Sequence, residues 1–390
     1  MDVVGGAPTS PAVREREMYA WYATMRQAAP VHFEAAQESW HVFRYDDVQR
    51  ALTEWETFSS DFASQMGSGE QRDALSSSII SQDPPRHRSL RALVSKVFTP
   101  RAVADLAPRI QQIADELLAP VIPTGQLDVT QDFGFPLPVT VIAELLGIPI
   151  EDRDRFQRWS NAIVGSSEQV QGYSPAQREL GQYFYQIIEE RRRAPRNDLI
   201  SALIQAEVDG QRLSLTELLG FCILLLVAGN ETTTNLIGNA VRCFAEDPAT
   251  WRRLRDNPAL LPSAIEEVLR FLSPVQMLPT RFAKVDTQLG GQELRAGQQV
   301  ILWLGSANRD EAKFPDAASF LLDRSPNQHL AFGLGIHFCL GAPLARLEAQ
   351  IALSALLAGC PNLEIDETGA ELIGGSITYG YKRLPVHFTV

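Results

Sequence analysis

Among the residues able to do chemistry, Cys339 stands out for its surroundings. The stretch Ala331-Phe332-Gly333-Leu334-Gly335-Ile336-His337-Phe338-Cys339-Leu340-Gly341 sets one cysteine among three glycines, just before a helical pattern that opens at Ala342. Glycines so spaced let a loop lie flat and bring backbone N–H groups close to an acceptor. A thiolate is such an acceptor: cysteine ligates metal as the anion, and its pKa falls near a helix N-terminus or a metal. Read alone, however, Cys339 is a small buried hydrophobe in a turn, and His337 could itself ligate. A second candidate is the pair His87 and Arg91, four apart on one helix face, where two cationic donors could hold a carboxylate. A third lies within Leu226-Val227-Ala228-Gly229-Asn230-Glu231-Thr232-Thr233-Thr234, poor helix sequence inside the longest helical pattern. Glycine there costs ~1 kcal/mol against alanine, and such departures from local propensity cluster at functional sites. Thr232 can bond back to the Ala228 carbonyl, bending or opening the helix, while Ala228 and Gly229 leave room beside it. Lastly, Glu267 and Arg270 stand three apart, as a helical ion pair does.

The string Phe-Gly-x-Gly-x-His-x-Cys-x-Gly resembles the haem-binding loop of the cytochromes P450. Ala-Gly-x-Glu-Thr at 228–232 and Glu-x-x-Arg at 267–270 resemble that family's other two motifs, in the same order. The resemblance extends over essentially the whole chain. It implies that Cys339 holds the iron of haem b as a thiolate, which pushes electron density toward O–O cleavage. Phe332, Gly333 and Gly341 would complete the loop. His87, Arg91, Arg281 and His337 would bind the propionates. Glu231 and Thr232 would act as an acid–alcohol pair delivering protons to bound dioxygen, with Ala228 beside them. Glu267 and Arg270 would be a buried structural pair. The family usually completes that pair with a basic residue where this chain has Ser319, which leaves Arg324, Arg309 or nothing to replace it.

By the same resemblance the chain is a monooxygenase that hydroxylates a hydrophobic small molecule of the fatty acid, terpenoid or steroid class. Its electrons would come from a separate ferredoxin and ferredoxin reductase, docking near Arg88, Lys96 and Arg346. A peroxide-driven oxygenase and a non-catalytic haem-based ligand sensor or carrier share the cysteine loop; the Glu231–Thr232 pair argues for dioxygen. The implied fold is mainly α with a smaller β-rich region, residues 1–390 forming one cytochrome P450 domain.

Composition agrees with these expectations. A hydrophobic content of 45% supplies a large core, and a formal net charge of -12 argues against nucleic acid as a partner. The four cysteines, Cys222, Cys243, Cys339 and Cys360, show no CxxC or zinc spacing. The apolar run Leu218–Gly229 is shorter than the ~18 residues of a membrane span. With no hydrophobic leader pattern at Met1–Pro11, the expectation is a cytoplasmic protein without stable membrane insertion.

The supporting elements follow from periodicity and turn signals. Helices are expected over Tyr19–Ala28, Asp46–Thr53, Ala102–Leu118, Leu137–Leu146, Ser214–Glu246 with a Ser214/Glu217 capping box, and Ala342–Leu357. Strands are expected at Val31–Phe33, Trp40–Phe43, Ala283–Leu289 and Val300–Leu304. His32 and His41 are read as structural. The helical pattern from Arg153 to Arg192 is broken at Gly165, Gly172 and Pro175, and the resemblance makes it a lid. Ser59–Gln82 has little periodicity, and by resemblance it roofs the substrate pocket through Phe62, Met66, Leu75, Ile79 and Ile80. The other pocket candidates are Val227, Ala228, Thr232, Val275, Met277, Leu278, Ile377 and Thr378.

Overall fold

The computed structural model describes residues 11–61, 74, 76–153, 155–156, 158–159 and 175–390. Its helices are α1 (Pro11–Ala28), α2 (Tyr45–Thr53), α3 (Arg86–Val97), α4 (Pro100–Ala104), α5 (Ala107–Leu118), α6 (Pro136–Leu145) and α7 (Pro175–Arg193). They continue with α8 (Leu199–Gln205), α9 (Leu215–Ala245), α10 (Pro248–Asp256), α11 (Leu261–Phe271), α12 (Leu304–Ala307) and α13 (Ala342–Gly359). The main sheet has the order β1 (Val31–Glu34), β2 (Ser39–Val42), β8 (Gln299–Leu302), β5 (Leu278–Ala283), β3 (Phe58–Ser59), with only the β2–β8 pair parallel. Smaller sheets pair β4 (Gln126–Asp128), β12 (Pro385–His387) and β9 (Glu364–Ile365), then β6 (Thr287–Leu289) with β7 (Gln292–Leu294), and β10 (Glu371–Leu372) with β11 (Tyr381–Arg383). The mainly helical architecture with a β-rich part fed by the N-terminal strands is therefore the expected one.

Several boundaries differ from the sequence reading for identifiable reasons. The first helix, described from Pro11, includes residues before the expected start at Tyr19. The expected helix over Ala102–Leu118 is two helices, because Pro108 fits only the first turn of a new one. Gly165, Gly172, Phe62, Met66 and Leu75 lie outside the described residues.

Helix α9 is the axis of the helical core. The Ser214 hydroxyl accepts the Glu217 N–H (3.3 Å), and Glu217 accepts the Ser214 N–H (2.8 Å), so the capping box forms as read. By length and composition α9 could cross a membrane. Here it packs instead against α6, α7, α10, α11 and α13. Along its second half it buries Asn230, Thr233, Thr234, Asn235 and Asn239, polar groups that need partners inside the protein. Thr234 finds one in the Gly134 carbonyl (3.0 Å). Asn239 donates to the carbonyls of Leu272 (2.9 Å) and Tyr379 (3.1 Å). His41 proves structural: its Nδ1 accepts the Trp303 indole N–H at 3.0 Å, and burial pushes its pKa down to about 4.

Beneath the core, Glu267 and Arg270 are both fully buried and joined by bonds of 2.7 and 2.9 Å. The sequence leaves the third member of this pair open; the structure supplies Arg324, whose Nε lies 3.0 Å from both Glu267 oxygens. Ser319 contributes only its backbone carbonyl, to Arg270 (2.9 Å) and Arg324 (3.2 Å). Arg309 stays out of the network and stacks over the Phe271 ring at 3.3 Å. Removing a donor from a buried carboxylate leaves charge under-compensated, whereas an exposed hydroxyl that bonds nothing costs little. Arg324→Ala should therefore lower stability by ~2–3 kcal/mol and Ser319→Ala by less than ~0.5 kcal/mol, read from urea midpoints. Equal midpoints for the two variants would refute this assignment.

Candidate functional site

The cysteine loop is built as its glycines suggest. Gly333 (φ +67°) and Gly335 (φ +72°) adopt left-handed backbone. A Cβ at Gly335 would also meet the Leu52 carbonyl oxygen at 2.9 Å. A short 3-10 turn, Gly335–His337, then carries the chain into Cys339, whose N–H donates to the Phe332 carbonyl (2.9 Å). Cys339 reaches the start of α13, where the backbone N–H groups of Gly341 and Ala342 bond its sulfur. Burial pushes the thiol pKa up; those N–H groups and the Arg91 and Arg346 guanidinium groups draw it down. The other three cysteines are buried and free, and desolvation raises each. Cys339 alone among the four is partly exposed, and Phe332 lies under the Arg346 guanidinium.

On the near side of this loop four cationic or protonatable groups converge. His87 and Arg91 come from α3, Arg281 from β5 and His337 from the 3-10 turn. The His87 and His337 rings lie 4.3 Å apart between centroids, and the Nε2 atom of each is buried without a hydrogen-bond partner. Burial and then the charges of Arg281, His87 and Arg91 push His337 down to about 3. Burial and Arg91 depress His87, and burial lowers Arg281 to about 10. Crowded like charge with orphaned donors is costly unless an anion completes it. His87, Arg91 and Ile336 border a cleft of about 340 Å³. A flat, metal-bearing group with two carboxylates would fit this donor set: the carboxylates would meet His87, Arg91, Arg281 and His337, and the Cys339 sulfur would be available to the metal.

The middle of α9 forms another part of the site. Ala228 is exposed although α9 is a core helix, so it borders open space. A Cβ at Gly229 would come within 2.7 Å of Ile142 Cδ1, which explains a glycine there. Thr232 donates to the Ala228 carbonyl at 2.6 Å, as its position suggests, and α9 nevertheless continues unbroken through this turn. Glu231 does not bond Thr232. Its Oε1 accepts the Thr378 hydroxyl at 2.7 Å, and burial raises its pKa.

The remaining pocket candidates divide. Ile80 and Ile377 are large apolar side chains left 46% and 42% exposed, whereas Ile79 is buried beside Ile80. Val227 is half-buried on α9. Val275 bridges to Thr378, and with Leu278 it packs on the sheet's apolar cluster. Met277 packs against the aromatic cluster of Tyr22, Phe43 and Trp303.

Sequence reasoning missed Glu348. This α13 carboxyl is 1% exposed, bonds Thr233 on α9 and leaves Oε1 without a partner. A charged residue on the apolar face shared with Leu344 and Ala352 was the available signal.

A family model for cytochrome P450 matches residues 31–369. The chain belongs to the cytochrome P450 family and is a cytochrome P450 monooxygenase, of a family that carries haem. Among curated relatives, it is 44% identical over 379 residues to Cytochrome P450 109 of Bacillus spizizenii, a match covering 94% of this chain and 91% of that one. The crystal structure of CYP109E1 from Bacillus megaterium in complex with testosterone superposes with a TM-score of 0.87 at 46% identity, covering 95% and 99% of the two chains. The bacillaene polyketide synthase cytochrome P450 PksS of Bacillus subtilis 168 gives a TM-score of 0.90 at 37% identity, covering 96% and 97%.

Burial raises the Glu348 pKa to about 8. The unfolded chain ionises this group several pH units earlier, so native stability is lost progressively as pH rises from about 5 to about 8. Glu348→Gln removes that dependence. Its melting temperature should match the wild type near pH 5 and exceed it at pH 8; parallel curves would contradict the assignment.

Proposed function

We propose that this chain is a haem b monooxygenase that hydroxylates an apolar small molecule, with steroids as the leading class. The observation that carries the reading is the cradle of His87, Arg91, Arg281 and His337, with its two orphaned ring nitrogens, beside Cys339. That cradle suits the two propionates of haem b. The substrate class rests on the 46% identical relative held with testosterone, and on the exposed apolar side chains Ile80 and Ile377.

Once bound, the haem supplies thiolate-ligated iron at which dioxygen is activated for insertion of one oxygen atom into a C–H bond. The chain's own residues do the rest. Cys339 would ligate the iron as a thiolate, and the N–H groups of Gly341 and Ala342 would stabilise its negative charge. Arg91, Arg281, His87 and His337 orient the macrocycle through its carboxylates, and Phe332, Gly333 and Gly341 shape its sulfur side. Ala228 leaves space for dioxygen, while Gly229 lets α9 close on Ile142. Glu231, its carboxyl held toward the protonated form by burial, gives up a proton in the Thr232 region and is recharged from solvent.

Two electrons per turnover come from NADH through a ferredoxin reductase and a ferredoxin, and the reaction takes place in the cytoplasm. Arg346 is engaged by Glu266 at 2.7 and 2.8 Å, so the docking patch for an acidic ferredoxin narrows to the exposed Arg88 and Lys96. Charge reversal there should slow electron transfer and flatten its salt dependence.

The reading is tested with purified enzyme, a bacterial ferredoxin and reductase, and a panel of testosterone, a long-chain fatty acid and a macrolide polyketide. Steroid-dependent NADH consumption with a product one oxygen heavier is expected. Binding without product would favour a sensor. Full product from peroxide alone, with Glu231→Gln harmless, would favour a peroxide-driven enzyme.

A further inference from the structure

Glu231 and Thr232 are adjacent in sequence, yet each hydroxyl or carboxyl turns to a different partner. Thr232 bonds back to Ala228, and Glu231 Oε1 takes a hydrogen bond from Thr378 across 147 residues of chain. Glu231 Oε2 has no hydrogen-bond partner among the described residues. Thr378 therefore fixes one carboxyl oxygen and leaves the other free.

The segment carrying Thr378 is itself tightly held. Residues 377–380 lie between α9 and the chain at 274–277. On one side the Ile377 carbonyl accepts the N–H groups of Gln276 (2.8 Å) and Met277 (3.3 Å), the Tyr379 N–H donates to the Pro274 carbonyl (2.9 Å), and Thr378 bridges to Val275. On the other side Glu231, Asn235 and Asn239, spaced by four, share one face of α9. Glu231 takes the Thr378 hydroxyl, Asn235 presses so close that Gly380 has no room for a Cβ, and Asn239 donates to the Tyr379 carbonyl at 3.1 Å. Three successive residues thus each meet one position of the α9 stripe. A contact fixed on both sides in this way sets a side-chain rotamer rather than merely permitting it.

We propose that Thr378 is a positioning residue for proton delivery: its hydroxyl anchors Glu231 Oε1 and leaves Oε2 as the oxygen that exchanges protons. The proton leaves Oε2 toward the Thr232 region, and solvent returns one to the same oxygen, so the Thr378 bond persists throughout. This inference rests on the assignment of Glu231 to proton delivery.

The test uses the haem-loaded enzyme and two readouts. The first is the Glu231 carboxyl C=O stretch at acid pH, isolated as the infrared difference against Glu231→Gln. The second is product formed per NADH consumed with the substrate found in the panel above. Thr378→Val should raise the C=O frequency, because the hydrogen bond to Oε1 is lost, and should lower coupling about fivefold, the effect of one hydrogen bond. Thr378→Ser should restore both, and Thr378→Val should cost nothing further in a Glu231→Gln background. If the valine variant fails to take up haem, Thr378→Ala is read in the same way. Unchanged frequency and coupling in Thr378→Val, with coupling still lost in Glu231→Gln, would overturn the role of Thr378 alone. A serine variant as impaired as valine would also overturn it. Full coupling in Glu231→Gln would remove the Glu231 assignment and this inference with it.

Discussion

The structure depends on placing a single sulfur where positive potential is concentrated but protein partners are withheld. Cys339 enters the first turn of α13, meets the N–H groups of Gly341 and Ala342, and lies within the fields of Arg91 and Arg346. A helix N-terminus offers the same potential in any protein. What differs here is the gathering of His87, Arg91, Arg281 and His337 beside it, with the Nε2 atoms of both histidines buried and unbonded. Such a site is poor in isolation and good with a dianionic, metal-bearing partner. Much of the architecture holds that imbalance in place: α3 from one side, β5 from another, and α13 locked to the core by α9 and α11.

The second constraint is the polar content of α9. A helix that packs on several others buries side chains that desolvation penalises. Some of those groups are discharged in ordinary structural bonds, as with Thr234 to Gly134 and Asn239 to two carbonyls. Glu231 is different, since burial raises its pKa and only one of its oxygens is bonded. Polar groups on a core helix thus serve two purposes that share one face. They pin the segment 377–380, and they hold a half-buried carboxyl by one of its two oxygens. Glu348 on α13 adds a second buried carboxyl, joined to α9 through Thr233.

Features governed by local rules were legible in the sequence. The capping box of Ser214 and Glu217, the back-bond of Thr232 and the flat glycine loop all depend on residues within a few positions of one another. The pairing of Glu267 with Arg270 was legible for the same reason, while its burial followed only from the family resemblance; its completion by Arg324 was not legible, because a long side chain can reach over many positions and spacing does not fix it. Thr378 was placed in the pocket from resemblance, and its bond to Glu231 was invisible because the two residues meet only when β-bridge and helix are packed. Pro108 broke a helix whose apolar periodicity alone had seemed continuous.

The most direct test of the account is the optical spectrum of the purified protein, reduced with dithionite in the presence and absence of carbon monoxide. The account predicts the strongly red-shifted Soret band of a thiolate-ligated haem, lost in Cys339→Ala. A haem-loaded wild-type protein whose Soret band instead matches histidine or neutral-thiol ligation, and is unchanged in Cys339→Ala, would contradict it.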